Sequence, residues 1–255
     1  MLFDYYEILI LSLIQGISEF IPVSSSAHLF IVSEFFHFNN QSIMIDVGMH
    51  LGSLLAVLFY FKQDFLNIFK NKQILYLIVI GSIPLILAGF IIYTTGIIDL
   101  LRNLKLLAWL SLVFAIVLYF ADKVKVTKKI DTDLNVKSIL IIGLFQIASL
   151  FPGVSRSGIV ITAGRFLNFD RYDATKISFY LSVPAIAGAS FLSLKDMFAN
   201  DITLNSLVLL SVLMSFIFSY IAIKYFLIFI KNFNFNIFII YRIILSLLIF
   251  YIIYS

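Results

Sequence analysis

Gln15 and Glu19 stand four residues apart, and Ser24, Ser25, Ser26 and His28 follow within the next nine. Residues at i and i+4 share a helix face, so an amide oxygen and a carboxylate oxygen would point the same way. With water and substrate oxygens, that pair suits a loosely held divalent cation, Mg²⁺ or Ca²⁺. If a helix begins at the serine run, Ser25 and His28 also share a face. The hydroxyl would then be a nucleophile with the imidazole as its base, or His28 would itself attack phosphorus or protonate a leaving group. Ser24 and Ser26 read equally well as substrate contacts and as helix N-caps.

A second cluster, Pro152-Gly153-Val154-Ser155-Arg156-Ser157-Gly158, supplies what the first lacks. At the start of a helix, free backbone N–H groups, the Ser155 and Ser157 hydroxyls and the Arg156 guanidinium fork would converge on phosphate oxygens, with Gly153 in the turn. The plainer alternative is an Arg156–Glu19 bridge that only holds structure. Taken together, the two clusters read as phosphoryl-transfer machinery more readily than as an ion site. Other polar residues carry less. Asp46 and His50 share a face near the start of an apolar stretch and read as an interfacial pair or as support for the site. Glu34 and His37 fall in an outer turn, and Lys224 and Arg242 lie near the ends of apolar stretches, where they can snorkel to the interface.

These clusters must be positioned in lipid. Of 255 residues 62% are hydrophobic and 13% charged, with mean hydropathy +1.06; soluble domains run at about 45–50% and 25%. The net charge of +4 is spread through gaps between apolar runs, which argues against nucleic acid as a partner. The absence of cysteine excludes disulfides, thiolate catalysis and Cys-ligated metal. The acidic start, Asp4 and Glu7, lacks the basic region of a signal peptide, so residue 1 is taken as part of the mature protein.

Stretches 74–93, 104–121, 177–194 and 204–230 are long and apolar enough to cross a bilayer, and 43–61 and 237–254 fit as spans despite Asp46, His50 and Arg242. Two further regions are different. In 8–36 and 139–167, short apolar pieces flank turns rich in Pro, Ser and Gly, 15–28 and 151–158, which predicts re-entrant helix–loop–helix hairpins buried in protein. The fold class expected is therefore an all-α integral membrane protein, with six transmembrane helices and two re-entrant hairpins in one membrane domain, 1–255. Val23-Ser24-Ser25-Ser26-Ala27 lines up with Val154-Ser155-Arg156-Ser157-Gly158. This predicts a weak internal repeat, 1–121 and 138–255, joined by a basic loop, 122–137. Three crossings between the hairpins invert the second copy, the arrangement in which broken helices meet near the midplane. Eleven Lys and Arg fall in loops on one side and three on the other, so the basic loop is expected in the cytoplasm, as a solvated segment, with both termini outside.

At these two turns the sequence resembles the undecaprenyl-diphosphate phosphatase family, integral membrane enzymes tied to bacitracin resistance. The resemblance rests on Gln15-x-x-x-Glu19 with Pro22-Val23-Ser24-Ser25-Ser26-Ala27-His28, and on Pro152-Gly153-Val154-Ser155-Arg156-Ser157. It extends through Asp46–Gly52, Ser178–Pro184 and the tail from Ala222-Ile223-Lys224 to Tyr241-Arg242, and so covers essentially the whole chain. It implies hydrolysis of a C55 polyprenyl diphosphate to the monophosphate and inorganic phosphate, in the bacterial plasma membrane, with a divalent cation. Glu19 and Gln15 would hold metal or order water, Ser25 and His28 would be nucleophile and acid/base, and Arg156, Ser155 and Ser157 would bind the diphosphate. The family motif ends in Thr where this chain has Val160, with Thr162 two places on. Partners implied are the lipid substrate and membrane lipid, and the number of subunits stays open, a homodimer included. The rival class is a transporter or polyprenyl-lipid flippase without hydrolysis.

Overall fold

The computed structural model describes residues 2–36, 38, 42–70, 72–97, 103–198 and 206–254. Among these the chain is helical, with one isolated β-bridge between Lys128 and Phe169. In order the helices are α1 (Leu2–Ser18), α2 (Ser25–Phe36), α3 (Ile43–Tyr60), α4 (Lys62–Lys70), α5 (Lys72–Thr95), α6 (Leu104–Asp122), α7 (Ile130–Asp133), α8 (Val136–Gln146) with a 3₁₀ turn at Ile147–Leu150, α9 (Arg156–Phe166), α10 (Arg171–Phe198), α11 (Ser206–Asn232) and α12 (Asn236–Tyr254). Four of them, α5, α6, α11 and α12, are long and apolar enough to cross a membrane, and Met44–Tyr60 and Val136–Leu150 are shorter apolar helices. Their outer faces expose Leu87, Phe90, Leu209 and Tyr251, side chains that call for lipid rather than water. His37 and the side chain of Glu34 lie outside the described residues.

Helix breaks fall in both Pro/Ser/Gly turns, but the first is narrower than the sequence predicts. Residues 15–18, read as turn, complete the last turn of α1. The Ser18 hydroxyl donates back to the Ile14 carbonyl, which satisfies a polar side chain without leaving the helix. Gly16 lets α1 lie against the Phe218–Ser219 backbone of α11. Only 19–24 remain outside helix, and in the second turn only 151–155. There Ser155 caps α9 by accepting the Gly158 N–H at 3.1 Å.

Close helix contacts fix the frame. Gly48 and Gly52 bring α3 onto α11, where a Cβ at Gly52 would overlap the Val212 carbonyl, the small-x-x-x-small logic of membrane interfaces. Ser53 shares hydrogen bonds with Ser215 at 3.0 Å and Ser219 at 2.9 Å, and Ser215 donates to the Met49 carbonyl at 2.6 Å. Phe20, directly after Glu19, is fully buried edge-on against Phe179 of α10, ring centroids 5.4 Å apart. This aromatic wedge anchors the first turn in the main core.

The basic loop is hydrogen-bonded to its neighbours, while Lys123, Lys125, Lys129 and Lys137 stay exposed. Thr127 and Lys128 donate backbone N–H groups to the Asn168 carbonyl, and Arg165 donates to the Asp122 and Val124 carbonyls at 2.9 and 2.8 Å. Arg171 grips the Asp122 carboxylate at 2.7 and 3.1 Å. At the loop's exposed edge, the Lys129 N–H and the Thr132 hydroxyl hold the Asp133 carboxyl below the usual carboxylate range. Loop carbonyls attract buried guanidinium groups because each would otherwise lack a donor.

Candidate active site

Glu19 sits at the C-terminal end of α1 and is 8% exposed. Its carboxylate receives three hydrogen bonds: Arg156 Nη2 to Oε1 at 2.7 Å, Ser25 Oγ to Oε2 at 2.7 Å, and Gln15 Nε2 to Oε2 at 3.0 Å. Ser25 is the first residue of α2 and Arg156 the first of α9, so residues distant in sequence meet on one acid. Arg156 also donates from Nη1 to the Ser178 carbonyl of α10 at 3.3 Å. Ser157 Oγ donates to the Ile21 carbonyl at 2.8 Å, tying the second turn directly to the first. The guanidinium and carboxylate are 12% and 8% exposed, a setting in which each depends on the other.

The two turns share a local geometry. Ser24 has φ 77° and Ser155 φ 71°, both left-handed, a state a non-glycine residue adopts at a cost of about 1–2 kcal/mol. Ser24 Oγ lies 3.3 Å from Ser26 Oγ, and Ser155 Oγ lies 3.2 Å from Ser157 Oγ. Gly153 has φ 88°, and a Cβ there would overlap the Leu107 carbonyl of α6, so this turn requires glycine. The N–H groups of Ser155, Arg156 and Ser157 have no acceptor among the described residues. Alternating left- and right-handed residues before a helix form a concave nest of such donors, which takes anions.

His28 is not paired with Ser25 in this arrangement. Its Nδ1 is 2.6 Å from the Ser24 carbonyl, and its Nε2 meets the Tyr241 hydroxyl of α12. A carbonyl oxygen has no proton to give, so Nδ1 carries the hydrogen and a neutral ring accepts the Tyr241 proton at Nε2. The two rings are stacked, 5.5 Å between centroids. The hydroxyl of Ser25 thus faces Glu19, whereas His28 braces the turn that holds Ser24. His50 bonds back to the Asp46 carbonyl at 2.7 Å and lies within electrostatic range of Glu19. Thr162 also turns away from the site, donating to the Gly158 carbonyl at 2.7 Å within its own helix.

Gln15 Oε1 is buried and has no hydrogen-bond partner. An orphaned amide oxygen beside a carboxylate is a donor pair that a hard cation accepts. Among the described residues no three His, Asp or Glu gather to form a cage. The donors fit an ion that shares its shell with phosphate oxygens and water.

Sequence reading missed Tyr241 and misplaced Arg242. Arg242 does not snorkel: it is 1% exposed and donates from Nη2 to the Gly153 carbonyl at 2.7 Å and the Val154 carbonyl at 3.2 Å, with Nε 3.4 Å from Ser111 Oγ. Placed inward beside α6 and the second turn, it finds acceptors that the interface would replace with water. Gln146 is also fully buried, with neither amide atom partnered. It precedes the second turn as Gln15 precedes the first, a signal present in the sequence.

Compared with known proteins, the chain matches the family described as Bacitracin resistance protein BacA over residues 8–248. It is 56% identical over 250 residues to a protein of Pelagibacter ubique (strain HTCC1062) named undecaprenyl-diphosphatase, covering 98% of each chain. A protein of the same name from Elusimicrobium minutum (strain Pei191) is 41% identical over 249 residues, covering 94% of this chain and 95% of the relative. Undecaprenyl-diphosphatase 3 of Bacillus cereus is 35% identical over 240 residues, covering 92% of each.

Proposed function

The chain belongs to the bacitracin resistance protein BacA family, and from that premise we infer that it is an undecaprenyl-diphosphatase. It is a multi-pass membrane enzyme that hydrolyses undecaprenyl diphosphate to undecaprenyl phosphate and inorganic phosphate, returning the carrier lipid to cell-wall synthesis. The observation that carries the site assignment is the Glu19 carboxylate held at once by Ser25 and Arg156.

In this reading the diphosphate head enters between the two turns while its tail stays in hydrocarbon. Arg156 and the free amides of Ser155, Arg156 and Ser157 bind phosphoryl oxygens, with the Ser155 and Ser157 hydroxyls and the Gly153 turn shaping the nest. Glu19 takes the Ser25 proton as Oγ attacks the terminal phosphorus. The bond from that phosphorus to the bridging oxygen breaks, its electron pair leaves on the polyprenyl monophosphate, and the leaving group takes the proton from Glu19. Water, deprotonated by the restored Glu19 carboxylate, then attacks the phosphoserine; the bond from phosphorus to Ser25 Oγ breaks, Oγ takes the proton back from Glu19, and inorganic phosphate is released. His28, Ser24 and Ser26 hold the turn that presents Ser25. A divalent cation held by Gln15 Oε1 and Glu19 would neutralise charge on the phosphates.

The finer architecture belongs to the same proposal: six crossings, two re-entrant hairpins and halves 1–121 and 138–255 in inverted relation. The matched left-handed serines and the meeting of both turns at one acid support it. The excess of Lys and Arg near 122–137 supports a cytoplasmic position for that loop and outer termini. A homodimer is compatible with this arrangement, and chemical cross-linking in membranes tests it. Purified protein in detergent should release phosphate from a polyprenyl diphosphate, and Ser25→Ala should abolish a phosphoenzyme trapped by rapid quench. Ser25→Ala retaining near-wild-type turnover would remove the serine from the nucleophile's place.

A further inference from the structure

Of the two guanidinium groups beside the second turn, Arg156 is neutralised by Glu19 at 2.7 Å. Arg242 has no carboxylate within ion-pair distance among the described residues. Among the described residues it is also the largest fully buried side chain. Its hydrogen bonds run only to neutral acceptors, the carbonyls of Gly153 and Val154 and the Ser111 hydroxyl, and Nη1 makes none among the described residues. A buried cation in this state is costly unless an anion arrives. The carbonyls it gathers belong to the same turn whose amides at 155–157 are free. Pulling oxygens back on one side leaves N–H dipoles on the other. A Cβ on Gly158 would come 3.3 Å from Arg242 Nη1, so the guanidinium lies beside the first turn of α9. It is also within electrostatic range of His28.

We propose that Arg242 is a positioning residue for the diphosphate: it holds the Gly153–Val154 carbonyls away from the head group and supplies the positive charge that balances the anion's excess over Arg156. This rests on the phosphatase reading. A diphosphate brings more than one negative charge at neutral pH, and Arg156 arrives already paired. The role therefore predicts a specificity effect, since a monophosphate head needs the second cation less than a diphosphate does.

The test compares inhibition by inorganic phosphate and by methylenediphosphonate for the wild type, Arg242→Lys and Arg242→Met, purified in detergent. Expected in Arg242→Met is a fall of about 10-fold in the preference for diphosphonate over phosphate, equivalent to about 1.4 kcal/mol. Arg242→Lys, which keeps the charge and loses the fork, keeps the preference within about threefold while weakening both inhibitors. A purely structural role weakens both inhibitors equally in both variants, and that result overturns the proposal. Should Arg242→Met fail to fold, an Arg242→Gln preference equal to the wild type's overturns it as well. If the wild type neither hydrolyses a polyprenyl diphosphate nor binds diphosphonate, the phosphatase reading itself has failed.

Discussion

Replacing Glu19 by Gln changes no volume and removes one charge. In the native site the carboxylate takes hydrogen bonds from Arg156, Ser25 and Gln15. An amide in its place still accepts from Arg156 through its oxygen, but its NH₂ meets the Gln15 amide, donor against donor. Neutralising one partner of a buried pair leaves the other uncompensated, at about 3–5 kcal/mol. The Arg156–Ser178 carbonyl contact and the 12% exposure of Arg156 put the loss at the lower end. In the proposed mechanism the variant lacks a base for Ser25, and a loss of at least about 2.7 kcal/mol, or 100-fold in phosphate release, is expected. Stability and activity should then separate in the double variant Glu19→Gln/Arg156→Gln. It removes both charges and recovers part of the thermal stability while staying inactive. Phosphate release from a polyprenyl diphosphate and thermal unfolding in detergent read the two quantities. Turnover of Glu19→Gln within about threefold of wild type, or stability losses that simply add in the double variant, would refute the reasoning.

Further predictions follow from the same contacts. Arg156→Ala and His28→Ala should each lower phosphate release by roughly 100-fold, measured as kcat/KM. Tyr241→Phe removes only the hydroxyl on His28 Nε2 and should cost about 1 kcal/mol, near fivefold in rate; a loss as large as that of His28→Ala would mean that the phenol has a direct part in the reaction. EDTA should abolish turnover and Mg²⁺ or Ca²⁺ restore it, with Gln15→Leu raising the cation concentration for half-activity by about 10-fold or more. Gly52→Val drives a side chain into the α11 backbone and should lower stability by about 1–3 kcal/mol or more, read as an earlier thermal transition.

Much of the site was legible because its chemistry is dense in two short segments. Gln15, Glu19, Ser25 and Arg156 are polar residues in an otherwise apolar chain, and lipid makes such residues conspicuous. The meeting of Glu19 with Arg156 could be anticipated as a pairing of opposite buried charges. What periodicity could not supply was orientation. Ser25 and His28 have spacing that fits one helix face, yet a left-handed Ser24 aims its carbonyl at the imidazole and leaves the hydroxyl to Glu19. Backbone φ has no signature in a Ser-Ser-Ser run. Arg242 was misread for a related reason. A cation near a helix end ordinarily reaches for water, and only the tertiary approach of α6 and the second turn provides acceptors inside. The first turn was drawn too wide because Ser18 and Gly16, loop formers by composition, are absorbed by α1 through a back-bond and a close α11 contact.

Ser24 and Ser155 occupy matching places, and the residues after them differ: a hydroxyl in one turn, a guanidinium in the other. At the place Glu19 holds ahead of the first turn, the second has Leu150. Two turns like the first would bring together acids with no cation to quiet them, and two like the second would bring together cations with no base. Acid and counter-cation each come from one side only, so neither turn is sufficient without its opposite.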